Sequence, residues 1–93
     1  PNDYSLSQNF PNPFNQSTAI KFALKVDSKV SLKIYNPLGQ EVINLLSDNY
    51  AAGNYNISVN ATGLNSGVYF YTLEANGVDG SKFSSTKKMI LMK

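Results

Sequence analysis

The sequence has 93 residues, 42% of them hydrophobic and only 15% charged, which supports a single domain whose polarity comes from amides and hydroxyls more than from ions. Cys, His and Trp are absent, which excludes a disulfide framework, thiol or imidazole catalysis, thiolate or His metal sites, and the strongest stacking platform for sugars. All eight basic residues are lysine and six acids oppose them, for a net charge of +2; without arginine's bidentate fork this is no nucleic-acid reader.

The chain begins Pro1-Asn2-Asp3, without an initiator Met or a signal-like apolar core, and is expected to be a terminal domain of a longer polypeptide. No apolar run is long enough to span a bilayer. Residues 1–17 are expected to form an extended lead-in segment carrying Pro11-Asn12-Pro13-Phe14. Its two prolines favour polyproline-like geometry, and the flanking Phe10 and Phe14 are placed to pin it to a sheet edge.

From residue 18 to residue 93 the repeating signal has period two, the spacing at which strand side chains share a face. Ile20, Phe22 and Leu24 alternate with smaller or polar residues, as do Val30, Leu32 and Ile34, and Tyr55, Ile57 and Val59. Asp27-Ser28 suits a hairpin connection after Leu24, and Asn36-Pro37-Leu38-Gly39 places Pro early in a turn and Gly where positive φ is wanted. A strand from Gln40 to Leu46 follows, then a loop through Ser47-Asp48-Asn49 and Ala51-Ala52-Gly53. Ala61 to Gly67 crosses over to the most aromatic strand, Val68 to Ala75. Asn76-Gly77 and Asp79-Gly80 are turn dipeptides, and a last strand covers Lys82 to Met92. Six to seven strands separated by such turns predict an all-β fold, an immunoglobulin-like antiparallel β-sandwich.

Leu64-Asn65-Ser66-Gly67-Val68-Tyr69-Phe70-Tyr71 sharpens that reading. It has the form of a tyrosine corner, in which a Tyr near a strand start bonds back to upstream backbone and the residue two positions later enters the core. Tyr69 then supplies the corner and Tyr71 stands where antibody domains have Cys. Leu73 continues inward, with Val68, Phe70 and Thr72 on the opposite face.

Candidate chemistry is sparse. No two of Asp3, Asp27, Glu41, Asp48, Glu74 and Asp79 are close enough in sequence to announce a catalytic pair. Asp27, Asp48 or Asp79 could join a loop calcium ion, but the dense Asp spacing of such loops is missing. Lys21 and Lys33 alternate with core residues and are expected in solvent, unsuited to a buried lysine base. No catalytic residue, cofactor or metal site is expected. The terminal run Lys87-Lys88-Met89-Ile90-Leu91-Met92-Lys93 fits either a strand buried on both faces or a Lys-guarded edge strand open to pairing.

Four segments together resemble the C-terminal sorting domain of the type IX secretion system of Bacteroidota: Gln8 to Asn15, Ile34 to Val42, Leu64 to Leu73 and Thr86 to Lys93. Thr72 departs from the basic residue common there, and the Asn76 to Ser85 connection is longer. The resemblance implies a non-catalytic label, attached to an N-terminal cargo, that a translocon recognises and a sortase-type surface peptidase removes. It places the chain in the periplasm in transit, then at the outer-membrane surface or in the medium, as a monomer. The sorting positions it marks are Pro11, Asn12, Pro13, Phe14, Gly39, Gly67, Tyr69, Tyr71, Lys87, Lys88, Met89, Ile90, Leu91 and Lys93. The immunoglobulin-like domain of flagellar hook-capping proteins shares the Pro-Asn-Pro-Phe and Gly-Val-Tyr motifs. The other functional readings are a polysaccharide-binding module of a secreted hydrolase, using Tyr50, Tyr55 or Phe70, and a structural spacer.

Overall fold

Period-two burial organises the chain into seven strands. A computed structural model describes all residues from Pro1 to Lys93. The strands are β1 (Ser5–Leu6), β2 (Ser17–Leu24), β3 (Ser28–Tyr35), β4 (Glu41–Tyr50), β5 (Gly53–Asn60), β6 (Gly67–Gly77) and β7 (Lys82–Leu91). They form a three-stranded sheet in the order β1-β2-β5 and a four-stranded sheet in the order β4-β3-β6-β7. All pairings between strands are antiparallel. Two facing sheets with strands exchanged in this way make the expected immunoglobulin-like sandwich.

The core between the sheets is a cluster of 16 buried residues. Ile20 and Phe22 come from β2, Val30, Leu32 and Ile34 from β3, Val59 from β5, Tyr71 and Leu73 from β6, and Met89 and Leu91 from β7. Each lies at the inward phase of its alternation, so the facing of β6 follows the tyrosine-corner expectation. Burying a large aliphatic side chain stabilises by roughly 1.5–3 kcal/mol, and removing Leu32 to Ala would cost about 2–5 kcal/mol.

The strand β4 breaks the alternation, with Val42-Ile43 and Leu45-Leu46 as adjacent apolar pairs. Its register against β3 shifts twice, between Leu32 and Lys33 and between Ile34 and Tyr35. Each shift leaves one extra β4 residue unpaired, Leu45 and Val42; Ile43, Leu45 and Leu46 keep partial contact with the core, while Val42 is exposed. The strand also runs past its expected end at Leu46 to Tyr50, because β3 keeps supplying partners: Ser31 to Ser47 and Lys29 to Asn49. Ladder pairing here overrides the weak strand preference of Asp48 and Asn49.

Two connections differ from expectation and a third does not. Residues 25–27 are no hairpin, since β2 and β3 belong to different sheets. Asp27 instead joins three loops at this pole, its carbonyl accepting from the Val78 amide at 2.9 Å and its carboxylate from the Ala52 amide at 2.9 Å. Asn76-Gly77 lies inside β6, and the last turn is Val78 to Ser81, closed by the Gly77 amide donating to the Ser81 carbonyl at 2.8 Å. The Asn36–Gln40 turn is as expected: the Asn36 side-chain oxygen accepts from the amides of Leu38 and Gln40, and Gly39 takes φ 83°.

Tyr71 carries a polar link across the core. Its hydroxyl donates to the Ser7 carbonyl at 2.7 Å and accepts from the Asn9 amide at 2.8 Å. Burial pushes the phenol pKa up to about 12, an effect the Asn9 hydrogen bond partly offsets. In the unfolded chain the phenol loses its proton near 10. The contribution is therefore whole below pH 10 and is lost as the pH rises from there through about 12. Tyr71→Phe should cost about 1–3 kcal/mol at neutral pH by leaving the Ser7 carbonyl and Asn9 amide unpaired. It should also flatten the alkaline limb of stability relative to wild type in denaturation midpoints measured up to pH 11.5; parallel limbs would contradict this account.

Candidate functional site

The four sequence segments singled out above meet at one pole of the sandwich. The Asn36–Gln40 turn follows β3, and Tyr35 lies in register with Phe70 on β6. Gly67 opposes Leu91 and Val68 opposes Ile90, which brings the start of β6 against the end of β7. The N-terminal segment arrives at the same place, where Phe14 bridges to Leu91 in parallel.

The tyrosine corner forms as expected: the Tyr69 hydroxyl donates to the Asn65 carbonyl at 2.7 Å. It closes the 61–67 crossover, and the chain end is tied to the same loop. The Lys93 amide donates to Ser66 Oγ and its ammonium to the Thr62 carbonyl, both at 3.0 Å. Gly67 enters β6 at φ 151° and Gly39 turns at φ 83°. A Cβ at either position meets nothing, so glycine is required there by the backbone and not by crowding.

The N-terminal segment is bent, not polyproline-like. Phe10 pairs with Ala19 on the outer side of β2, residues 11–13 are bends, and Phe14 pairs with β7. The Phe10–Pro11 and Asn12–Pro13 peptide bonds are both cis. The segment passes from one sheet to the other, a crossing of roughly 10 Å that a straight strand at either edge would not make. Only one of its two phenylalanines pins it: Phe14 is buried, whereas Phe10 is 80% exposed.

Four hydrogen bonds from this segment fill the outer edge of β7. Gln8 Nε2 donates to the Lys88 carbonyl at 2.6 Å and the Ile90 amide to Asn12 Oδ1 at 2.9 Å. The Phe14 amide donates to the Ile90 carbonyl at 3.0 Å, and the Met92 amide to the Phe14 carbonyl at 2.8 Å. The run expected to be either doubly buried or an open edge is thus an edge strand capped by its own chain. Asn9 holds the segment's inner side. It is buried, and its Nδ2 donates to Thr18 Oγ1 at 3.0 Å and the Pro11 carbonyl at 3.2 Å.

Every expected sorting position lies at this pole or supports it. Phe14, Tyr69, Tyr71, Met89 and Leu91 are buried, while Pro11, Asn12, Pro13, Gly39, Gly67, Lys88 and Lys93 are exposed. Lys87 and Ile90 are intermediate. Sequence reasoning missed Gln8, Asn9 and Thr18, whose signal was a polar residue next to a proline-bracketed turn. On the outer face of the four-stranded sheet the pole presents Tyr35, Val68, Phe70 and Ile90, with Lys88 in register with Phe70. Leu38 and Met92 stand out beside them, 85% and 60% exposed. Of the aromatics considered for sugar stacking, Phe70 lies half-buried on this outer face, and the other two pack together. Tyr55 stacks on Phe22 at 5.1 Å and meets Tyr50 edge-on at 5.5 Å.

A family model described as "Secretion system C-terminal sorting domain" matches residues 8–92. The chain belongs to this family. Its members are non-catalytic export signals, so the chain is a C-terminal sorting domain bound for the cell surface or the medium with a larger cargo. No curated protein matches the chain. Among solved structures, CopC from Methylosinus trichosporium OB3b is similar at 16% identity and TM-score 0.62, covering 96% of this chain and 93% of that one. That likeness concerns the β-sandwich alone.

Two substitutions test how the sorting domain builds this pole. Gly67→Ala should cost about 1–3 kcal/mol through backbone strain, and Tyr69→Phe about 1 kcal/mol through the lost corner bond. Both should lower the melting temperature, with export of a fused reporter falling in parallel. Normal stability with lost export would instead assign these residues a direct contact role.

Proposed function

We propose that the domain directs a periplasmic cargo through the type IX outer-membrane translocon and that the translocon reads a folded surface. The cargo enters the periplasm by an ordinary N-terminal signal, folds there, and is presented by this label. A sortase-type peptidase then cuts ahead of the sandwich, and the cargo stays on the surface or leaves for the medium. The reading rests above all on the convergence of segments 8–15, 34–42, 64–73 and 86–93 at one pole, joined by hydrogen bonds that exist only in the folded chain. The partly exposed Tyr35, Val68, Phe70 and Ile90 cluster with Lys88 is the surface a partner would meet there.

The opposite pole suits attachment. Tyr4 lies there, its hydroxyl bonded to Ser28 and Ser81 at 2.9 and 3.0 Å and its ring stacked on Phe83. A cargo preceding Pro1 would hang from that pole, clear of the convergent one. The long dimension of the domain, 41 Å, separates the two.

Fusing residues 1–93 to a periplasmic reporter in a host with type IX machinery should bring the reporter to the surface or medium. Deleting Leu91 to Lys93 should return it to the periplasm. That deletion removes a buried core residue and both Lys93 ties. Display of the truncated fusion at the wild-type level would defeat the folded-surface reading.

A further inference from the structure

The outer edge of β7 is only half filled. Residues 83, 85, 87, 89 and 91 face β6 with their backbone groups, as the register and the closing bond between Gly77 and Ser81 require. The even-numbered residues therefore aim their amides and carbonyls outward. The N-terminal segment satisfies those of Lys88 to Met92, starting at the Lys88 carbonyl. Below that point the outward groups of Ser84 and Thr86 and the Lys88 amide have no backbone partner. The result is a notch bounded by the Tyr4–Phe83 stack at one end and Gln8 at the other.

Charge distinguishes this edge from those of β5 and β4, and the fourth edge, β1, is only two residues long. β7 carries Lys82, Lys87 and Lys88 and no acid; the nearest carboxylate by register is Glu74, opposite Ser84 on β6. β5 is regular but neutral along its open edge, with Asn54, Asn56, Ser58 and Asn60 exposed. β4 is blunted by its two register shifts. We infer that the Ser84–Lys88 notch takes an extended acidic segment of a protein partner, added as a further strand to β7. Main-chain hydrogen bonds would supply affinity and the three lysines the choice of sign. A second copy is disfavoured, because two β7 strands laid side by side set lysines against lysines.

The inference rests on the export reading, with the partner belonging to the export apparatus, and the two are separable in one experiment on the 1–93 reporter fusion. Ser84→Pro removes an outward amide while sparing every β6–β7 bond; Lys82→Glu with Lys87→Glu, neither of them in the pole cluster, reverses the charge and leaves the backbone intact. Ser58→Pro makes the same edge change on neutral β5, since Ser58 opposes Ala19, whose own groups are turned to Phe10. Both β7 variants should cut surface display about tenfold, with melting temperatures near wild type, and Ser58→Pro should display normally. If Ser84→Pro melts early, the charge-reversed variant decides alone. Wild-type display by both β7 variants overturns the notch while export stands, and normal display of the charge-reversed variant alone overturns the acidic partner. A wild-type fusion that stays in the periplasm overturns the export reading and the notch together. Dimerisation of the isolated domain that Ser84→Pro abolishes would assign the notch to a second copy, against the inference.

Discussion

The hydroxyl of Tyr71 is the constraint on which the rest of the structure depends. It stands at the position where antibody domains have a cysteine, and it too ties the two halves of the sandwich, by hydrogen bonds instead of a covalent bridge. From β6 it reaches the backbone of Ser7 and Asn9, both of which flank the outer side of β2. A buried hydroxyl with a donor and an acceptor in place is satisfied, whereas a Phe there would leave two backbone groups without partners. A chain that lacks Cys gains from a link that needs no oxidant.

That link decides where residues 10–14 go. With Asn9 fixed beneath Thr18, the bends at 11–13 carry the chain across to β7, and Phe14 inserts beside Leu91. Edge strands are exposed to unwanted pairing; here the domain covers one half of its terminal edge with its own N-terminal segment and guards the other with lysines. The same crossing places the Pro-Asn-Pro-Phe turn beside the Met89 to Lys93 run, the Gly67 corner and the Asn36–Gln40 turn. Segments distant in sequence thereby become one surface.

Much of this was legible in the residues. Alternation alone located the inward faces of β2, β3 and β5, and the Gly67-Val68-Tyr69-Phe70-Tyr71 run disclosed the tyrosine corner and, through it, the facing of β6. What could not be read were features decided by pairing across long sequence distances. The extension of β4 to Tyr50 depends on β3 as a partner, and its apolar doublets look irregular until the two bulges are seen. The placement of residues 25–27 depends on which sheet each flanking strand joins. The burial of Asn9 and the exposure of Phe10 run against hydropathy, because the hydrogen bonds of Asn9 to Thr18 and Pro11 outweigh the penalty of burying an amide. The sorting positions came from motif resemblance; their convergence is visible only in the fold.

Amide hydrogen exchange on the isolated domain tests the central claim, that the Tyr71 link holds the N-terminal segment and the terminal strand together as one closed unit. The Asn9, Phe14, Ile90 and Met92 amides should exchange through a common opening in wild type, and all four should accelerate together in Tyr71→Phe while the β3–β6 ladder stays protected. Acceleration confined to Asn9, with Phe14, Ile90 and Met92 unchanged, would contradict it.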